Sequence, residues 1–152
     1  MNILGNRKIL NCYKIGYFAS SKIATLSVLP TLDWAAEIAK REDVSVVSGF
    51  HSKMEREVLD YLLQGRCGII CVLARSIYHK VPTKFKEAFD KNRILFISDE
   101  KSDNVIMTGK HSALKRNKLV ASLSDEIVVS SLTPESSLYP IINQSTKPTK
   151  SF

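Results

Sequence analysis

Val44 to Leu73 reads VSVVSGFHSKMEREVLDYLLQGRCGIICVL, and this stretch decides the fold. VSVVS is a short β-branched run closed by Gly49, the mark of a strand. Ser52, followed three residues later by Glu55, makes a capping box: the hydroxyl takes the N3 amide and the carboxylate takes the cap amide, which starts a helix. Met54, Val58, Leu59, Leu62 and Leu63 repeat at the 3.6-residue period, predicting a helix to about Gln64 with Gly65 as its stop. Gly68 to Leu73 carries no polar side chain, as a central strand covered on both faces requires. Strand, helix and strand in so short a span form one crossover unit, and crossover units build parallel sheets.

The alternation continues outward. Toward the N-terminus, Cys12 to Phe18 (CYKIGYF) reads as a strand and Ala19-Ser20-Ser21-Lys22 as its loop. Pro30 then opens a helix to about Arg41, with Leu32, Ala35, Ala36 and Ala39 at helical spacing. Toward the C-terminus, Pro82 starts a helix carrying Phe85, Ala88 and Phe89, and Ile94 to Ile97 is a strand. Lys101 to Gly109 has no decisive pattern, His111 to Leu123 is helical and Glu126 to Ser130 is a strand. The fold class expected is α/β, a Rossmann-like open, mostly parallel sheet with helices on both faces. That domain is expected over residues 1–142. The polar residues 143–152, with Pro148 among them, are expected to form a disordered tail.

With 152 residues, 44% of them apolar and 24% charged, the composition is that of one globular domain and excludes a multidomain machine. The net charge of +7 is unevenly placed: residues 75–118 hold eleven basic and five acidic side chains, and the segments on either side are close to neutral. Such asymmetry suits an anionic partner. No apolar run approaches the length of a membrane span and no apolar segment follows the first charges, so a cytoplasmic protein without a membrane partner is expected. Cys12, Cys67 and Cys71 lack the spacing of a zinc knuckle or a redox pair and read as reduced core thiols.

In an open α/β sheet the ligand crevice lies beyond the carboxyl ends of the strands, where loops and helix N-termini offer N–H groups to phosphate. Two loops fit: Ser20-Ser21-Lys22, and Ser48-Gly49-Phe50-His51-Ser52-Lys53, in which Gly49 permits close backbone approach. Both are also ordinary βα connections. No G-x-G-x-x-G and no G-x-x-x-x-G-K-S/T occurs, so no dinucleotide or ATP cofactor is expected. His111, Lys115, Lys118 and Ser122 fall on one helical stripe, with Lys110 and Arg116 nearby; such a stripe either tracks a phosphate backbone or is simply solvated. Phe50, Tyr78 and Phe85 are candidates for base stacking if the fold exposes them. His51, His79 and His111 have no metal-ligand or triad spacing, no Ser sits in a G-x-S-x-G elbow, and Asp33, Glu55, Asp99 and Asp125 read as helix-start and loop residues. Neither a catalytic residue nor a metal site is expected.

Taken in order, these loops and helices resemble the DNA-processing protein A (DprA/Smf) family from Leu4 to about Leu138. The family's Gly-Asn lead-in is similar to Leu4-Gly5-Asn6-Arg7-Lys8-Ile9-Leu10, and its first strand with a G-S-R loop is similar to Ile15 to Lys22. The signature S-G-G-A-R-G-I-D aligns with Ser48 to Glu55, and P-x-x-N-x-x-L-F with Pro82 to Phe89. R-R-N-R-I-I-A-G-L-S aligns with Lys115-Arg116-Asn117-Lys118-Leu119-Val120-Ala121-Ser122-Leu123-Ser124. The closing S-G-S-L becomes Glu135-Ser136-Ser137-Leu138.

The resemblance implies an extended Rossmann-type fold that binds single-stranded DNA without catalysis or sequence preference and hands it to a RecA-type recombinase during transformation, commonly as a homodimer. Carried onto this sequence, the DNA-facing positions are Ser21 or Lys22, then Ser48, Gly49, Ser52 and Lys53, and Arg116, Asn117 and Lys118. Ser20, His51 and Lys115 join them from the loops and the stripe. The sequence departs from the family pattern at Phe50 and Ser52, which stand for a Gly and an Arg, at Ala113-Leu114, which stand for an aromatic-Pro pair, and at Ser136, which stands for a Gly. Pro140 speaks against a helix after Leu138. A divergent, stand-alone version is expected. The fold also resembles the LOG-type nucleotide-binding proteins, whose P-G-G-x-G-T-x-x-E motif is absent. That leaves a nucleotide or nucleotide-derivative sensor as the alternative function, and an assembly-only domain as a third.

Overall fold

A computed structural model describes residues 1–99 and 109–152. Among the described residues seven strands form one sheet in the order β1-β5-β4-β3-β2-β6-β7: β1 Asn2–Gly5, β2 Tyr13–Ala19, β3 Val44–Ser48, β4 Gly68–Leu73, β5 Ile94–Ser98, β6 Glu126–Ser130 and β7 Thr149–Ser151. Every pairing is parallel except that of β1 with β5. The helices are α1 Thr25–Ala39, α2 Lys53–Leu63, α3 Lys86–Asp90, α4 Lys110–Leu123 and α5 Tyr139–Gln144. The expected α/β class holds, and the strand bounds of β3, β4 and β6 agree with the sequence reading to the residue.

Side chains alternate across the sheet into two apolar cores. On one face Tyr17, Val46, Ile69 and Phe96 pack under Ala35, Val58, Leu59, Leu62 and Ala88 of α1, α2 and α3. On the other, Phe18, Val47, Ile70 and Leu95 pack under Val120 of α4 and Ile142 of α5. Helices on both faces explain why β3 and β4 are buried along their whole length. Gly16 lets α4 approach: a Cβ there would lie 2.1 Å from Ser124 Oγ. Cys67 and Cys71 are core thiols, which burial pushes up to about 11 and about 12; Cys12 is only half-buried.

Three expectations need correction. α1 begins at Thr25, five residues before Pro30, which lies inside the helix. Proline removes the N–H that would reach the Leu26 carbonyl, and Leu26, Leu29 and Pro30 are exposed, so the break in the helix ladder falls on a solvent-facing turn and not in the core. α5 does form after Leu138, because Pro140 falls in its first turn, where no N–H partner is required. Residues 143–152 are not a disordered tail. Asn143 and Gln144 finish α5, and β7 pairs in parallel with β6 through the register Ile127 to Thr149, Val128 to Lys150 and Val129 to Ser151. Backbone pairing on the open edge of β6 does not depend on apolar composition, and the ring of Phe152 anchors the strand 6.4 Å from that of Trp34. Of the patternless segment Lys101 to Gly109, residues 101–108 lie outside the described residues and Gly109 caps the start of α4.

Candidate functional site

The sheet order reverses at β2: β3 follows it on one side and β6 pairs with it on the other. A cleft of about 570 Å³ opens beyond the carboxyl ends of these strands, at the switch point where such sheets bind ligands. The loop after β2, the start of α2, one face of α4 and the loop after β6 enclose it. Below it, a buried hydroxyl network locks β2, β6 and α1 together: Tyr17 Oη is 2.9 Å from Ser130 Oγ, which is 2.6 Å from Thr31 Oγ1.

Glu55 holds the cleft in shape. The capping box predicted from Ser52 and Glu55 is present, and the buried carboxylate does more than close it. Its Oε1 accepts from the amides of His51 at 2.9 Å and Ser52 at 3.1 Å, and its Oε2 accepts from the amide of Ala19 at 3.0 Å. One carboxylate thus ties the end of β2 to the N-terminus of α2. Amides that the sequence reading offered to a ligand phosphate at this helix end are already satisfied by an internal anion.

Arg116 projects from α4 and is 8% exposed. Its Nε donates to Asn117 Oδ1 at 3.1 Å, and among the described residues its terminal nitrogens have no protein acceptor and no carboxylate within ion-pair distance. Burial lowers its pKa, and the nearby charge of Glu55 offsets this only in part. The guanidinium remains charged at any ordinary pH. Gly49 makes room for it: a Cβ at that position would lie 2.4 Å from Arg116 Cδ, 2.6 Å from Nε and 2.8 Å from Cζ. The close approach permitted by Gly49 is therefore used by this arginine.

The structure divides the residues singled out from the sequence. Ser20, Ser21, Lys22, His51, Ser52, Arg116 and Asn117 line the cleft. Ser48 is fully buried beneath it and accepts from the Phe50 amide at 3.1 Å. Lys53 is exposed on α2 outside the cleft lining. The stripe on α4 faces elsewhere: Lys115 Nζ donates to the Asp99 carbonyl at 3.0 Å, and Lys118 borders a shallow cavity with Lys147. The helix presents Ala113, Arg116 and Asn117 to the cleft instead. Phe50 and Phe85 are core residues, which removes both as stacking platforms; Tyr78 is half-buried. Phe50 adopts φ 48° and turns its ring inward.

Sequence reasoning missed the loop after β6, where Ser131, Thr133, Glu135, Ser136 and Ser137 line the cleft. Its hydroxyls already engage the first loop: Ser20 Oγ donates to the Ser131 carbonyl at 2.8 Å and lies 3.2 Å from Ser136 Oγ. The signal was the run of small polar residues, but only the pairing of β6 with β2 brings it to the site. Among the described residues no three His, Cys, Asp or Glu side chains gather as a metal site, and no helix is long and apolar enough to cross a membrane.

Fold and site together define a doubly wound α/β domain with an arginine-floored cleft at its switch point. The sequence model of the DNA recombination-mediator protein A family matches residues 3–138. The chain belongs to that family. Its fold is similar to that of DNA processing protein A from Helicobacter pylori, a structure concerned with single-stranded DNA binding, with a TM-score of 0.74 at 22% identity. It is also similar to DprA from Streptococcus pneumoniae, with a TM-score of 0.77 at 15% identity. The alignments cover 98% of this chain in both cases, but 69% of the first relative and 53% of the second. At such identities they show the fold alone. No curated protein sequence matches the chain.

Proposed function

We infer that this protein binds single-stranded DNA without catalysis, seating a backbone phosphate on Arg116 in the switch-point cleft, as a DNA-processing protein of recombination. The observation that carries this reading is the buried guanidinium, which has no ion-pair partner among the described residues. Burying an unpaired charge is costly, and the cost is recovered when an anion arrives with acceptor oxygens for the terminal nitrogens. Lys22 and Asn117 at the rim supply further donors, and the hydroxyls of Ser21 and Ser137 suit phosphate or sugar oxygens. A contact of this kind reads no base, so the binding is independent of sequence. Family membership adds two expectations: the strand is passed to a RecA-type recombinase, and the working form is a homodimer, which sedimentation of the pure protein tests.

The experiment is fluorescence anisotropy of the protein with labelled oligo-dT across a salt series, with a mononucleotide as competitor. Affinity falls steeply with salt, by a log–log slope of about −0.7 for each phosphate neutralised. Arg116→Ala lowers affinity roughly 10- to 150-fold, the value of hydrogen bonds to a charged group, and does so equally for other base sequences. Absence of binding, or full displacement by the mononucleotide, overturns this reading and leaves the cleft to a free nucleotide.

A further inference from the structure

We propose that a second pocket, on the far side of Gly49 from the cleft, holds another phosphate of the same strand, so that the DNA crosses Arg116 toward the carboxyl ends of β3 and β4. This rests on the single-strand reading above and gives the strand a direction across the domain. The pocket has a volume of about 220 Å³ and shares Arg116 and His51 with the switch-point cleft, so the two cavities meet at the arginine.

The charge of this pocket is one-sided. Arg56, Arg75, Lys84 and Arg116 line it, and among the described residues no Asp or Glu does. Among the described residues, Lys84 alone of these four has an acidic partner, Asp60 at 3.1 Å. Arg56, exposed on α2, has no ion pair among the described residues. Arg75 is held in place: its Nε donates to the Ser76 carbonyl at 3.1 Å, and its guanidinium lies 4.7 Å from the centroid of the Tyr78 ring, which meets Phe96 edge-on at 5.3 Å. That arrangement fixes the plane of the guanidinium, and among the described residues its terminal nitrogens have no protein acceptor. Three arginines converging on one small cavity repel one another until an anion enters. Arginine forks match phosphate oxygens in pairs.

Size selects the form of that anion. A pocket of about 220 Å³ lies below the range of about 300–1,000 Å³ in which whole small ligands are enclosed. It takes a phosphate group, with the attached nucleoside left outside, as a continuous strand requires. The other basic feature, the stripe on α4, offers no competing route from the cleft, because Lys115 is bound to Asp99 at the end of β5.

The test compares wild type, Arg56→Ala/Arg75→Ala, Arg56→Glu and Arg116→Ala by anisotropy on oligo-dT of about 4 to 16 nucleotides, the range of single-strand site sizes. The double variant is expected to bind the shortest strands as wild type does, to bind the longest about tenfold more weakly, and to lose about 0.7 from the salt slope. Arg56→Glu, an exposed change that spares the fold, is expected to weaken long strands in the same way. Arg116→Ala weakens all lengths. Wild-type affinity of both pocket variants for every length, with Arg116→Ala still impaired, overturns the second pocket and spares the cleft. Absence of DNA binding by the wild type overturns both. Inorganic phosphate bound by the wild type and lost in the double variant, with strand affinity unchanged, makes the pocket a free-anion site and also overturns the path.

Discussion

Gly49→Ala separates the fold from the site. A Cβ at this position would stand 2.4–2.8 Å from three consecutive atoms of the Arg116 side chain, well inside contact distance. The backbone tolerates alanine, since Gly49 is not among the positive-φ residues. The atoms in the way are the far end of a flexible side chain, so the guanidinium moves and the strand does not. The stability cost is accordingly that of mild overpacking, about 1 kcal/mol, or about 2–4 °C in Tm for a domain of this size. Binding loses more. With Arg116 displaced, the charge-assisted bonds to phosphate are lost, worth about 1.5–3 kcal/mol, which is roughly a 10- to 150-fold rise in Kd. Thermal melting and anisotropy on oligo-dT at one fixed low salt concentration measure the two effects. A double-mutant cycle makes the reasoning strict: if Gly49 acts only through Arg116, then Gly49→Ala/Arg116→Ala binds no worse than Arg116→Ala alone. Unchanged affinity in Gly49→Ala, or additive losses in the double variant, would refute the assignment.

Glu55→Gln keeps the size of the side chain but turns an amide NH₂ toward at least one of the three backbone N–H groups that the carboxylate now accepts from. A loss of about 2–3 kcal/mol in urea unfolding is expected, and a loss below about 0.5 kcal/mol would show that the tie between β2 and α2 is not structural. Asp125 is held below the usual carboxylate range, first by the Lys14 amide at 2.8 Å and then by the Lys14 ammonium at 3.4 Å. Because its folded pKa is depressed, the stabilisation is complete above the unfolded value of about 3.9 and is lost as pH falls through the folded one. Asp125→Asn should therefore lower Tm at neutral pH and lose less than wild type as the pH falls below about 4; parallel acid limbs would contradict this. Phe152→Ala removes the ring that packs beside Trp34. Since Phe152 is only partly buried, the cost is about 1–2 kcal/mol, less than the 3–5 kcal/mol of a core phenylalanine. An unaltered melting temperature would mean that β7 contributes nothing to the sheet.

The sequence by itself determined the elements and their class. Period-2 and period-3.6 patterning is local, and so are the Ser52 and Glu55 cap and the strands VSVVS, GIICVL and EIVVS, each of which carries its signal within a few residues. The same locality explains the misses. Proline locally signals a helix start, whereas the exposed position of Pro30 on α1, a tertiary property, permits it inside the helix. The polar composition of β7 points to a tail, whereas an open strand edge recruits backbone whatever its side chains. At the site, the residues near Arg116 were legible as types but not as an arrangement. Spacing on α4 grouped Lys115 and Lys118 into one stripe, yet which helix face meets the cleft is set by docking against the sheet, and that face bears Arg116 and Asn117. Only the tertiary structure decided that β6 lies beside β2, that Glu55 engages three internal amides, and that Arg116 is buried over Gly49 with no ion-pair partner among the described residues. These depend on contacts between residues far apart in the chain, and no local pattern encodes which distant group will satisfy a charge.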